Sequence, residues 1–160
     1  MKIFQIAIIL IMAAGTAIGQ KLPSFELKDT ENNIKSYDDL KGEKITLVDF
    51  WATWCNPCLK AIPELNKIYD EYRSAGVEII GISCDGPRST AKVAPMVGSL
   101  QIKYPVLLDI NSDVVNNLNL ASFPTLLAVD PSGKILYTHE GFETGDEIEI
   151  RKEIEKLLGR

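Results

Sequence analysis

The stretch Leu47-Val48-Asp49-Phe50-Trp51-Ala52-Thr53-Trp54-Cys55-Asn56-Pro57-Cys58 constrains this chain more than any other. Its first half is apolar, β-branched and aromatic, the make-up of a buried strand. It ends in two cysteines separated only by Asn56-Pro57, and an amphipathic helical pattern starts at once. The order is strand, short turn, helix N-terminus. A thiol at that point meets the positive end of the helix dipole and the unpaired N–H groups of the first turn. Both favour the thiolate, which is the reactive form. Pro57 suits the first helical turn, where its missing N–H matters little. Cys58 lies one turn further in, within reach of a disulfide. The segment is suited to making and breaking an S–S bond.

The rest of the pattern supplies a sheet and its cover. Lys21 to Asp29 reads as extended, Thr30 to Asn33 as a turn, and Ile34 as a short return strand. Ser36 caps a helical turn through Leu40 that Gly42 closes. Ile45 to Trp51 is a buried strand, and Asn56 to Ala75 the longest helix, kinked at Pro63 and stopped at Gly76. Val77 to Ser83 is a second buried strand. A helix from Ser89 or Thr90 towards Leu100, a strand at Pro105 to Leu108 and a helix capped by Ser112 follow. Thr125 to Val129 and Lys134 to His139 flank Asp130-Pro131-Ser132-Gly133 and form a hairpin. A final helix opens at Gly145-Asp146 and buries Ile148, Ile154, Leu157 and Leu158. Alternating strands and helices closed by a hairpin specify an α/β fold with a mixed sheet covered by helices.

Residues 1–19 read as a secretory signal: a basic start at Lys2, an apolar run from Ile3 to Ala14, then Ala17 and Gly19 ahead of Gln20. The run is shorter than the roughly 20 residues that span a bilayer, and an uncleaved membrane anchor is the alternative. Residues 20–160 then form one domain. The formal charge of −5 becomes −6 once Lys2 leaves with the signal, which argues against nucleic acid or an anionic membrane as partner. Three cysteines in an exported chain leave one over if two pair. Cys84 is that one, and it reads as a small buried hydrophobe rather than a third reactive thiol.

A lone C-x-x-C also serves zinc, but structural zinc takes four ligands, and only Cys84 and the single His139 remain. His139, in a hairpin strand, reads as structural. Asp49 stands out because a carboxylate inside an apolar strand is costly to ionise, so its pKa should rise. It is either a proton acceptor or a half-exposed charge on an edge strand. Both tryptophans suit a core, Trp51 better than Trp54.

The run Trp51-Ala-Thr-Trp-Cys-Asn-Pro-Cys58, with Phe123-Pro124-Thr125 ahead of one strand and Gly141 after the next, resembles the thioredoxin superfamily. Within it the chain is similar to the exported TlpA/ResA-like thiol-disulfide oxidoreductases. Leu22 to Leu27, Gly81 to Asp85, Pro105 to Asp109 and Asp130 to Ile135 carry the likeness through nearly all of the mature chain. The resemblance implies a thioredoxin-like α/β fold: a mixed central sheet with helices on both faces, an N-terminal β extension and an insertion around the second helix.

It also implies roles. Cys55 attacks and Cys58 resolves. Pro124 is the cis-proline beside them, with the Phe123 backbone offered to an extended substrate segment. Asp49 accepts the Cys58 proton. Trp54 flanks the pair as an apolar contact surface, and the Trp51 indole is tied to Asp85. One departure is Ala61, where many TlpA/ResA-like proteins carry a glutamate. No cofactor beyond the cysteine pair and no metal is expected.

Asn56-Pro57 adds no basic side chain that would lower the thiol pKa further, and proline there resembles the reducing members. The expected activity is therefore protein-disulfide reduction by a periplasmic monomer. Its partners would be exported disulfide-containing proteins, apocytochrome c among those of relatives, and a membrane thiol electron donor. The competing reading is a copper metallochaperone holding Cu(I) through Cys55, Cys58 and His139. A peroxiredoxin-like peroxidase is disfavoured, because the P-x-x-x-T-x-x-C arrangement is missing.

Overall fold

β3 (Ile45–Trp51) is an inner strand of a seven-stranded sheet, and all seven of its residues are buried. A strand covered on both faces needs apolar side chains on both, hence its nearly continuous run. The computed structural model describes residues 20–160, and the expected secretory signal at 1–19 lies outside the described residues. The sheet order is β2 (Ile34–Ser36), β1 (Glu26–Asp29), β5 (Val106–Leu108), β4 (Val77–Ser83), β3, β6 (Thr125–Val129), β7 (Ile135–Glu140). β3 pairs in parallel with β4, which pairs in parallel with β5. On the other side β6 and β7 run antiparallel. β1 and β2 form a hairpin that extends the sheet beyond β5. The sheet is mixed, as the sequence pattern predicts.

Alternation along β3 divides the core. Val48 and Phe50 face α1 (Tyr37–Leu40) and α4 (Asp113–Leu118), packing with Tyr37, Val114 and Leu118. Ile45 and Leu47 face α2 (Asn56–Tyr72) and α5 (Asp146–Leu157), packing with Leu65, Ile68 and Ile154. Each fully buried aliphatic side chain contributes about 1.5–3 kcal/mol, so these two faces hold the molecule together. Val93 of α3 (Val93–Ser99) closes a third cluster around Trp51, Cys55 and Cys58. Among the described residues no helix is long and apolar enough to cross a membrane.

Several local expectations change. α4 is not capped by Ser112, which adopts a left-handed φ of 59° and makes no capping bond. Asp109 does the work: its carboxylate accepts the N–H groups of Asp113, Val114 and Val115 at 2.8, 3.0 and 3.1 Å. Two carboxyl oxygens satisfy three orphan donors, which one hydroxyl cannot. Gly42 does not close α1, since Lys41 ends it in extended conformation. A Cβ at Gly42 would sit 2.3 Å from the Ile45 carbonyl oxygen, so close backbone approach explains the glycine. α2 runs through Pro63, passes into a 3-10 turn at Arg73–Ala75 and ends at Gly76 with φ 88°. In α5, Ile150 and Ile154 are buried while Ile148 is 67% exposed. Two residues of helix rotate a side chain to the opposite face, so 148 and 150 do not share one.

Candidate active site

The turn between β3 and α2 is pinned before the first cysteine is reached. Asp85, just past β4, accepts the Thr53 backbone N–H at 2.8 Å, the Thr53 hydroxyl at 2.6 Å and the Ser83 hydroxyl at 3.0 Å. Those bonds occupy both carboxylate oxygens. The Trp51 indole is not tied to Asp85, contrary to what the resemblance implies: its Nε1 has no hydrogen-bond partner among the described residues. The Cys55 N–H donates to Ala52 O at 3.1 Å, and the Cys84 N–H to Trp51 O at 2.7 Å.

Cys55 occupies the N-cap of α2, and its Sγ accepts the Cys58 N–H at 3.3 Å. The two cysteines form a disulfide across a Cα–Cα separation of 5.3 Å. Cys55 is 5% exposed and Cys58 1%. The first sulfur is thus the more accessible, and it carries the capping N–H that would stabilise a thiolate after reduction.

Trp54 is 62% exposed and meets Phe123 edge-to-face, with ring centroids 6.0 Å apart. Phe123 also packs against the cluster that holds Cys55 and Cys58, and the Phe123-Pro124 peptide bond is cis. The fold therefore gathers Trp54, Phe123 and Pro124 around the pair from segments about 70 residues apart in sequence. Pro124 O accepts the Gly141 N–H at 2.8 Å.

Asp49 lies beneath. β3 is flanked on both sides, which removes the edge-strand reading, and the residue is 1% exposed. Neither carboxylate oxygen has a hydrogen-bond partner among the described residues. Burial pushes its pKa up to about 7. Asp49 lines a narrow pocket with Ala61, Leu65, Pro124, Leu126 and His139. Cys58, Ala61 and Leu65 follow one another at helical spacing on α2, so the carboxyl sits one to two turns below the inner sulfur. Ala61 faces it where the resemblance leads one to expect a glutamate.

His139 stands at the pocket's far wall with both ring nitrogens engaged, Nδ1 with Tyr137 Oη at 3.1 Å and Nε2 with Asp146 Oδ2 at 3.3 Å. Cys84 is a free, buried thiol on the other face of the sheet, packed among Val48, Phe50 and Ile82. Burial, with the Asp109 charge second, pushes its thiol well above the ordinary value. The sequence reading missed three contributors: Thr53 as the Asp85 partner, Asp109 as a cap and Tyr104 near Asp49. A threonine in a turn and a tyrosine between strands carry no signal by themselves.

Comparison with known proteins agrees with this geometry. Residues 18–138 match the AhpC/TSA family. The thiol-disulfide oxidoreductase ResA of Bacillus anthracis is 33% identical over 132 residues, 82% of this chain and 75% of that protein. The solution structure of a thiol:disulfide interchange protein from a Bacteroides species superposes with a TM-score of 0.72 at 30% identity, covering 89% of this chain and 90% of that one. The thioredoxin domain of a Bacteroides vulgatus thiol-disulfide oxidoreductase gives a TM-score of 0.70 at 29% identity, covering 85% and 95%. With a cysteine pair capping α2 on a thioredoxin-like sheet and this extent of similarity, the chain belongs to the AhpC/TSA family and, within it, to the ResA-like thiol-disulfide oxidoreductases.

Proposed function

We propose that the protein is exported to the periplasm, after loss of residues 1–19, and reduces disulfides in other exported proteins. The observation that carries this is the Cys55–Cys58 pair at the head of α2, the helix whose next turn, at Ala61, lines the same pocket as the buried Asp49 carboxyl. In the reduced enzyme the Cys55 thiolate attacks a partner disulfide, forming a mixed disulfide and releasing the partner's other sulfur as a thiolate. Asp49 takes the Cys58 proton, the Cys58 thiolate attacks Cys55 Sγ, and the partner leaves with two electrons gained. A carboxyl with a pKa of about 7 exchanges protons readily near neutral pH, which suits it to that step.

Trp54 and Phe123 form the apolar shoulder on which a partner segment rests, with Pro124 beside the sulfurs. No cofactor is needed beyond the cysteine pair. A membrane thiol donor must restore the dithiol, and reduction of apocytochrome c is the partner role that the resemblance suggests. The protein works as a monomer.

Asn56-Pro57 supplies no cation that would stabilise the thiolate further, which favours reduction over oxidation. The copper reading has less support, because the His139 ring is already held by Tyr137 and Asp146. Insulin reduction with dithiothreitol, paired with metal analysis of the purified protein, separates the two. Turnover without bound metal is expected. Stoichiometric copper without turnover would replace the reductase with a carrier.

A further inference from the structure

Three side chains that are almost fully buried and find no hydrogen-bond partner among the described residues are the Asp49 carboxyl, the Trp51 indole N–H and the Tyr104 hydroxyl. Gly81 brings them together. It lies opposite Asp49 in the β3–β4 register, so both present the same face of the sheet. A Cβ at Gly81 would stand 3.2 Å from the Tyr104 ring edge and 3.3 Å from Trp51 Nε1. The indole nitrogen and the tyrosine ring therefore converge over the strand position beside the carboxyl. The Asp49 charge also acts on Tyr104: after burial, it is what pushes the phenol above its ordinary value. Two donors and one acceptor that do not bond to one another make a polar seat inside an apolar wall. Orphaned buried groups of this kind are rare, and internal water is the usual partner.

We propose that an internal water molecule binds in this seat, accepting the Trp51 N–H and the Tyr104 O–H and donating to Asp49, and that Tyr104 is thereby a positioning residue for the carboxyl. The arrangement uses both lone pairs of the water and one of its hydrogens. A water held by two donors stabilises the ionised carboxylate, so the seat keeps Asp49 easier to ionise than dry burial alone would.

The other titratable group lining the Asp49 pocket is His139 from β7, already bonded to Tyr137 and Asp146; Cys84 lies behind the sheet, and Cys58, a turn before Ala61 on α2, is held in the disulfide. Phe142 and α5 present only apolar side chains, Phe142 and Ile150. The catalytic consequence rests on Asp49 as proton acceptor, while the water seat does not.

Tyr104→Phe keeps the ring and removes the hydroxyl. A heteronuclear NMR titration of the oxidised protein follows the Asp49 carboxyl, with Asp49→Asn identifying its resonance. The midpoint is expected to rise in Tyr104→Phe, by about tenfold in proton affinity. A high-resolution crystal structure of the wild type is expected to place one water oxygen roughly 2.7–3.2 Å from each of the three groups. That measurement decides the matter alone should the variant not fold. An unmoved midpoint in folded Tyr104→Phe, or a wild-type crystal without that water, overturns the proposal. If the midpoint moves but mixed-disulfide resolution in the wild type ignores the Asp49 titration, the seat stands and the proton-acceptor role falls.

Discussion

At the scale of single residues, burial turns Asp49 into a carboxyl that titrates near neutral pH. Its carboxyl has an ordinary pKa of 3.8 and one of about 7 in the fold. Below the lower value both folded and unfolded chains hold the proton. As pH climbs between the two, the unfolded chain releases it first, so the native state loses stability through that window. The loss reaches at most about 4 kcal/mol once pH passes the upper value. Asp49→Asn removes this slope. Its stability advantage over wild type, from denaturant unfolding of the oxidised proteins, should be smallest near about pH 4 and grow towards about pH 8. An advantage independent of pH would mean that the carboxyl is not buried in its charged form. Asp49→Ala should also slow resolution of the mixed disulfide by about 10²-fold or more in a quenched-flow assay, since positioned proton transfer contributes on that scale. An unchanged rate would remove the assignment.

Among secondary-structure elements, sequence patterns located those whose side chains repeat regularly. β3 and β4 were legible to the residue, because strands buried on both faces read as unbroken β-branched runs. The cysteine pair at the head of α2 was legible for a similar reason, since strand, turn and helix meet there without a gap. Contacts decided by distant segments were not legible. Ser112 precedes α4 and looks like its cap, yet Asp109 reaches the same N–H groups once β5 ends. Asp85 pairs with Thr53, 32 residues away, and leaves Trp51 aside. The α4 difference is measurable. Asp109→Ala should destabilise the protein by about 1–3 kcal/mol, because three N–H groups, two of them buried, lose their acceptor, while Ser112→Ala should stay within about 0.5 kcal/mol of wild type. Equal effects would restore Ser112 as the cap.

For the molecule as a whole, the sheet is a frame that brings distant segments to one edge: the β3–α2 turn, Asp85 beyond β4 and Phe123-Pro124 ahead of β6. The likeness to ResA-type enzymes spans that frame, whereas direction of electron flow depends on how the pair is tuned. With no basic residue between the cysteines, the reduction potential measured against glutathione should fall nearer to that of thioredoxin, about −270 mV, than to that of the strong oxidant DsbA, about −120 mV. A value close to the latter would make the protein an oxidase. Peptide mapping of trapped adducts separates an attacking Cys55 from a resolving Cys58. Incubated in reduced form with a disulfide substrate, Cys58→Ser should accumulate a stable mixed disulfide through Cys55, and Cys55→Ser should accumulate almost none. Adducts through Cys58 or Cys84, or equal trapping by both variants, would take the attacking role from Cys55.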